Sequence, residues 1–190
     1  MKPGKITLIA ALVIMLTACS KKDQLVQDLP GNSISPKAAQ GIFISSWETG
    51  YNWNMTDSSG YRIYVHDRAL TEINNDVLNG GAVLMFVKNA PYTERGRLNK
   101  PMLTPFHVLP PEGRPGYDQV WYRVVNNGSV SVRFRTNAHQ LGVAGERPDG
   151  EVAIRYFVIP AFDLKKMGHS AISISKLNYA ALSQLFGLKD

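Results

Sequence analysis

The chain has 190 residues and a single cysteine, Cys19. One cysteine forms neither an intramolecular disulfide nor a cysteine-based metal site, so stability must come from a hydrophobic core. The common phosphate-binding, dinucleotide-binding, serine-hydrolase and zinc-protease motifs are also missing. The four histidines are far apart, whereas metal ligands normally occur at close spacing. We therefore expect no metal, no cofactor and no catalytic residue.

Long hydrophobic runs are missing as well. The uncharged stretch Ile6–Leu16 has eleven residues, whereas a membrane-spanning helix needs about 20. Lys2 and Lys5 precede this stretch, and the small residues Thr17 and Ala18 follow it, which is the layout of a secretory signal peptide. The sequence therefore predicts export and not a transmembrane helix.

The residues Leu16-Thr17-Ala18-Cys19 resemble the lipobox of bacterial lipoproteins. This resemblance implies cleavage before Cys19, acylation of its thiol and amine, and lipid attachment to the bacterial cell envelope. Several acyl chains attach a protein stably, because each buried methylene adds about 0.8 kcal/mol. We expect the outer membrane, with the side of the membrane left open. The alternatives are an ordinary signal peptide with an accidental cysteine and a lone cysteine in the core.

Three regions follow from this pattern. We expect residues 1–18 to be the lipoprotein signal peptide, residues 19–40 a lipidated tether, and residues 41–190 a single domain. About 150 residues can bury roughly 68 to 70% of their extended surface, which is enough for a core without disulfides. The formal net charge of +6 is mildly basic and does not by itself indicate nucleic acid. Export makes a nucleic-acid partner unexpected, and the oligomeric state stays open.

The domain is rich in segments that are typical of strands. They are short, contain many Val, Ile, Tyr and Phe residues, and are bounded by Gly, Asn, Asp or Pro. These segments are GIFISSW, GYRIYVHD, AVLMFVK, YDQVWYRVV, SVSVRFRT and EVAIRYFVIP. A further short strand is expected near Phe106 to Leu109.

The clearest unit is a β-hairpin around Asn127-Gly128. This pair suits a two-residue type I′ turn, and such a turn sets the register of the two strands. The register places Trp121 opposite Phe134, Arg123 opposite Val132 and Val125 opposite Val130. We expect these six side chains to lie on the core face.

Two helices are expected between and after the strands. Thr71 can cap a short helix that ends at Gly80-Gly81, and a terminal helix can begin at Ser175 or Asn178. The terminal helix carries an apolar stripe of Leu177, Ala181, Leu182, Leu185 and Phe186. Many strands and two helices favour a mainly β fold, an antiparallel β-sandwich of immunoglobulin-like architecture with one short internal helix and a C-terminal helix.

Two strings carry a resemblance to a known group. TEINNDVLNGGAVLMFVKNAPY (71–92) and EVAIRYFVIPAF (151–162) resemble small, uncharacterised exported lipoproteins of the Bacteroidota. The similarity covers roughly residues 42–186, and its motifs are structural. It implies a similar fold and location and no particular activity. Ala161 follows Pro160 where glycine would be more familiar.

Aromatic residues offer the first candidate ligand site. WETGYNW places Trp47, Tyr51 and Trp53 at equal parity, so an extended strand would point all three rings to one face, where they can stack on sugars. Gly50 is expected to interrupt that strand. The alternative is that Trp47 belongs to the core while Tyr51 and Trp53 lie on a loop, because large aromatics mostly bury area.

The segment 91–116 offers the second candidate site. It holds six of the eleven prolines, so we expect mostly a long loop, and long loops are often binding loops. Its cations suit an acidic glycan, an anionic lipid head group or an acidic partner. The candidate ligand contacts are Tyr92, Arg95, Arg97 and Arg114.

These observations predict a non-catalytic, lipid-anchored envelope protein that binds a glycan or another envelope protein. The alternative is an envelope hydrolase whose acidic or histidine residues converge only in the fold. Glu48 with Asp67, or Glu94 with Glu112, would serve such chemistry if folding brought the carboxylates about 5 to 10 Å apart.

Overall fold

The structure, a computed structural model, describes residues 41–91, 97–108, 118–142 and 147–189. The predicted signal peptide, Cys19 and the tether lie outside the described residues. Parts of the proline-rich segment 91–116 also lie outside the described residues.

Strands dominate the described residues, and short helices follow them. The strands are β1 Phe43–Ile44, β2 Asn54–Ser58, β3 Tyr61–Ala69, β4 Ala82–Lys88, β5 Ala90–Pro91, β6 Arg97–Leu98, β7 Met102–Leu103, β8 Phe106–Val108, β9 Gln119–Asn126, β10 Ser129–Thr136 and β11 Ala153–Ile159. The α-helices are α1 Asn75–Leu78, α2 Ala161–Lys166, α3 Ala171–Ile174 and α4 Tyr179–Leu185, and a 3₁₀ helix covers Ala138–Leu141.

The strands form two main antiparallel sheets. One has four strands in the order β1-β11-β4-β7, and the other has five in the order β2-β3-β10-β9-β8. Strands β5 and β6 form a separate small pair. The prediction of a mainly β, sandwich-like antiparallel fold is confirmed.

The β9–β10 hairpin has the predicted register. Trp121 pairs with Phe134 and Val125 with Val130 across the turn at Asn127-Gly128. Trp121, Phe134 and Val130 are fully buried, and Val125 packs against the same core. The turn residues therefore determined both the pairing and the face that points inward.

The four-stranded sheet is buried on both faces. On one face, Met85 of β4 and Tyr156 of β11 share a core with the five-stranded sheet. On the other, Phe86 and Phe157 pack against α2 and α4. Side chains alternate between these faces along each strand, and both faces are covered, so β4 reads as a continuous apolar run. The protein has three layers: helices, a four-stranded sheet and a five-stranded sheet.

The helices differ from the prediction at two points. The internal helix α1 is capped by Asn74 and not by Thr71, because the Asn74 side chain accepts hydrogen bonds from the amides of Asp76 (3.0 Å) and Val77 (3.2 Å). The terminal region holds three short helices where one was expected. Its last helix, α4, does begin after Asn178, whose Oδ1 accepts from the Ala181 amide at 2.9 Å.

Strands β2, β5, β6 and β7 were not predicted from the sequence, and β6 and β7 lie in the segment 91–116, where mostly a long loop was expected. β2 has the sequence NMTDS, and all five of its residues are exposed. It lies at the edge of the five-stranded sheet and pairs with β3. Its sequence is as polar as that of a loop, because its side chains are exposed and only its backbone pairs with the sheet. Within the described ranges, none of the helices is long and apolar enough to cross a bilayer.

Candidate functional site

A short crossover links the two main sheets at one side of the sandwich. Glu48 makes a backbone bridge to Ile154 of β11, with both N–H···O distances 2.9 Å. Six residues later the chain enters β2 of the other sheet. Tyr51 and Trp53 lie between these two points and pack against the core between the sheets. They cover the side of the sandwich.

Three half-buried rings meet at this crossover, and we call Tyr51, Trp53 and His66 the edge cluster. The ring of His66 lies 4.6 Å from that of Tyr51 and 6.1 Å from that of Trp53. Its Nδ1 lies 3.0 Å from the carbonyl oxygen of Asn52. The edge cluster is backed by Trp121, whose ring is 5.9 Å from that of Trp53. The crossover is therefore held against β3 and β9.

The three predicted platform residues do not share one face. Trp47 packs on the helical side of the four-stranded sheet, 5.3 Å from the ring of Tyr179 and 4.2 Å from the Lys88 Nζ. Tyr51 and Trp53 lie on the other side of that sheet, and their planes are tilted by 53°. The prediction of one flat surface is wrong, because Gly50, with φ of +73°, turns the chain between Trp47 and Tyr51. The alternative is confirmed: Trp47 packs against the core, and Tyr51 and Trp53 lie on a loop.

Four buried polar atoms lie in or directly behind the edge cluster without a hydrogen-bond partner among the described residues. They are the hydroxyls of Tyr51 and Tyr156 and the Nε1 atoms of Trp53 and Trp121. Indole nitrogens only donate, and a protonated hydroxyl can also donate. Buried donors normally find an acceptor. The Tyr51 hydroxyl and the Trp53 Nε1 belong to half-buried side chains, so a small movement of these two side chains would present both donors to a ligand that is rich in acceptors.

The two tyrosines stay protonated. Burial raises the pKa of Tyr51 far above its usual range, and the neighbouring Tyr156 and Glu48 add to this effect. Burial also raises the pKa of Tyr156. The two hydroxyls are close enough to affect each other's pKa, but they lack the geometry of a hydrogen bond. Both therefore act as neutral hydrogen-bonding groups and not as bases.

An ion pair borders the edge cluster. Arg68 donates to both carboxylate oxygens of Glu48, Nε to Oε2 at 3.0 Å and Nη2 to Oε1 at 3.2 Å. This hydrogen bonding raises the pKa of Arg68. Asp67 is exposed on the opposite face of β3, because side chains alternate along a strand. The carboxylate pair Glu48 and Asp67 therefore does not come together, and the pair Glu94 and Glu112 lies outside the described residues.

Arg97 is held by two carboxylates. Its guanidinium donates to both oxygens of Asp149 and to the carbonyl of Asn89, and its Nε lies 2.9 Å from a carboxylate oxygen of Glu151. The hydrogen bond with Asp149 raises the pKa of Arg97 and lowers that of Asp149. Arg97 thus links β6 to the turn before β11. The other candidates of that segment, Tyr92, Arg95 and Arg114, lie outside the described residues.

One cation near the core, Arg123, was placed on the core face by the predicted register but was not proposed as a site residue. Arg123 lies on the inward face of β9, and its Nη1 donates to the carbonyl oxygen (2.5 Å) and Oγ1 (2.9 Å) of Thr104. Burial lowers the pKa of Arg123, and no acidic side chain pairs with it within the described ranges. The hairpin register already placed Arg123 on the core face, opposite Val132, and this was the signal that could have identified it.

No cluster of three or more potential metal-ligating side chains forms in the part of the chain that the structure describes. Glu48, the acidic residue of the crossover, instead binds Arg68. No family model, no curated protein and no solved structure matches this chain.

Proposed function

We propose that this chain is a lipid-anchored protein of the bacterial cell envelope that works as a non-catalytic binding module for a glycan. The location rests on the predicted signal peptide and on the lipobox-like residues that end at Cys19. We further propose that the anchor lies in the outer membrane.

The edge cluster carries the binding role. Its rings are half-buried, so part of their apolar surface remains open to solvent. Four polar atoms that lack partners in the described residues lie in or behind these rings. Sugars present apolar CH faces and many hydroxyl acceptors, and ligand sites typically combine apolar walls with a few polar groups. A glycan residue that contacts the rings edge-on fits this combination better than one that stacks on a flat surface. A segment of an envelope protein is the second candidate ligand.

The lipid attachment has a direct test. In the native host, mass spectrometry of the mature protein is expected to show an amino terminus at Cys19 that carries acyl chains. Labelled palmitate should enter the wild-type protein and not the Cys19→Ser variant, which lacks the acylated thiol. An unmodified protein that still begins at Met1 would contradict the lipid anchor.

The glycan role is tested with the double variant Tyr51→Ala/Trp53→Ala. We expect the wild type to be retained on at least one envelope glycan of an array, and the double variant to lose retention at least tenfold. Trp47→Ala is the matched control, because Trp47 is a half-buried tryptophan on the opposite face of the four-stranded sheet. Circular dichroism establishes that each variant is folded.

Unchanged retention by a folded double variant would remove the edge cluster as the site. If no glycan retains the wild type, a pull-down from detergent-solubilised envelopes tests the second candidate ligand, a segment of an envelope protein. A protein captured by the wild type and by Trp47→Ala, but not by the double variant, would replace the glycan as the ligand of this site.

A further inference from the structure

The helical layer exposes two large apolar side chains. Phe162 of α2 is 71% exposed and Ile172 of α3 is 70% exposed, more than any other large apolar side chain in the described residues. Two residues further on, Leu164 and Ile174 are buried against the four-stranded sheet. Residues two apart on a helix point to nearly opposite sides, since each residue rotates the helix by about 100°. Phe162 and Ile172 therefore point away from the sheet.

Lysines accompany both apolar side chains at helical spacing. Lys165 and Lys166 follow Phe162 by three and four residues, and Lys176 follows Ile172 by four. Residues at these spacings lie on one side of a helix. The turn of α3 continues past its last residue, because the Lys176 amide donates to the Ser173 carbonyl at 3.3 Å. All three lysines are exposed. The two helices thus repeat one pattern, an outward apolar side chain flanked by cations.

The outward side of α2 and α3 carries no acidic residue of its own, and the acidic residue that acts on α2 from outside is the exposed Asp76 of α1. Residues 160–189 contain one acidic residue, Asp163. Asp163 is 6% exposed and points toward the protein interior, where its carboxylate would meet a Cβ placed on Gly41. Burial raises the pKa of Asp163, which favours its neutral form. Phe162 and Ile172 are therefore surrounded on their own helices by cations alone.

We propose that this outward side of α2 and α3 docks on an anionic phospholipid surface, with Phe162 and Ile172 entering the boundary between head groups and acyl chains. We call these two residues, together with Lys165, Lys166 and Lys176, the docking face. Interfacial helices combine large apolar side chains with lysines on the polar side. Lysines near an anionic membrane surface are attracted to it. Long lysine stems also allow the ammonium groups to reach the phosphates while the apolar side chains insert.

The docking face alone would bind a membrane weakly, and the proposed lipid anchor makes this binding effective. The inference therefore rests on the proposed location at the envelope membrane. A random chain of about 22 residues has a root-mean-square span of roughly 25 Å, so the predicted tether would keep the domain near the bilayer. Docking is then an intramolecular step at high effective concentration. The docking face would fix which side of the domain meets the membrane, and it would leave the five-stranded sheet facing away.

Vesicle flotation tests the docking face. The protein used is the mature chain, residues 19–190, with Cys19→Ser so that no acyl chain contributes. We expect it to float with vesicles of phosphatidylglycerol and phosphatidylethanolamine at low salt, and at least tenfold less with phosphatidylcholine vesicles. Phe162→Ser/Ile172→Ser should lower flotation with the anionic vesicles at least tenfold. Replacing the three lysines by glutamine should do the same, and salt should weaken binding of the wild type.

Met55→Ser is the matched control, because Met55 is also an exposed large apolar side chain, at 48%, but belongs to β2 of the other sheet. It should float like the wild type, and all variants should keep the wild-type melting temperature. Equal flotation of the Phe162→Ser/Ile172→Ser variant and the wild type would overturn the proposal. So would a dimer in solution that these substitutions abolish, since the docking face would then bind a second copy. The acyl group of the native protein is measured separately, so loss of docking and loss of the anchor give different results.

Discussion

Trp121→Ala is expected to destabilise the protein by about 3 to 5 kcal/mol, the range for removing a large buried aromatic side chain. Trp121 is fully buried between the sheets. Its ring lies 4.6 Å from that of Phe134, 5.9 Å from that of Trp53 and 6.4 Å from that of Phe106. These contacts join β8, β9, β10 and the crossover, so the cavity left by alanine cannot collapse by moving one strand. The melting temperature should fall by about 6 to 20 °C for a chain of this size.

Urea unfolding followed by far-ultraviolet circular dichroism measures this effect without relying on the removed fluorophore. Trp47→Ala is the control, since Trp47 is half-buried on the helical side. It should lower the free energy of unfolding less than Trp121→Ala does. A loss below about 1.5 kcal/mol for Trp121→Ala would contradict a central position of this ring in the core.

Gly81→Ala is expected to lower the free energy of unfolding by about 2 to 3 kcal/mol, because overpacking a rigid site forces the backbone to move. A Cβ on Gly81 would lie 2.4 Å from the Ile159 carbonyl oxygen, 2.7 Å from the Val77 Cα and 2.9 Å from the Val77 carbonyl oxygen. All three are backbone atoms, so no side-chain rotation relieves the clash. Gly81 lets α1 approach the end of β11 closely. The effect is one of space, not of backbone conformation.

Gly150→Ala is the matched control for this substitution. Nothing lies within 4 Å of a Cβ built on Gly150, and its backbone is not in the left-handed region. Replacing such a glycine reduces the freedom of the unfolded chain, so the stability should stay equal or rise by about 0.4 to 1 kcal/mol. Thermal melts of the two variants side by side measure the difference. Equal stability of Gly81→Ala and Gly150→Ala would show that α1 does not pack closely on β11.

The sequence-based predictions worked best where the chemistry is local. Asn127-Gly128 specified a turn, and the register of β9 and β10 followed from it. For the terminal helix the sequence offered Ser175 or Asn178 as the start, and the structure uses Asn178 as the cap of α4. Alternation along β9 also placed Arg123 on the core face, although its contact with Thr104 could not be deduced. Thr71 failed as a cap because Asn74, three residues later, offers an equivalent side chain that the chain uses instead.

The edge cluster could be predicted only in part. Equal parity correctly indicated that Tyr51 and Trp53 share a neighbourhood. It did not reveal that Trp47 packs on the other face of the four-stranded sheet, since that depends on the bridge between Glu48 and Ile154, more than 100 residues apart in sequence. Arg97 was predicted as a ligand contact, and its carboxylate partner Asp149 lies far along the chain.

The sequence alone determined the mainly β character, the central hairpin and the last helix, because strand composition, turn chemistry and helix capping act over a few residues. Only the tertiary structure decided that three short helices cover one face of the four-stranded sheet and that β4 and β11 lie between two layers. An apolar run such as AVLMFVK specifies that both faces are buried, but not what buries them. Which elements meet depends on the packing free energy of distant segments, and that energy exists only once the whole chain has folded.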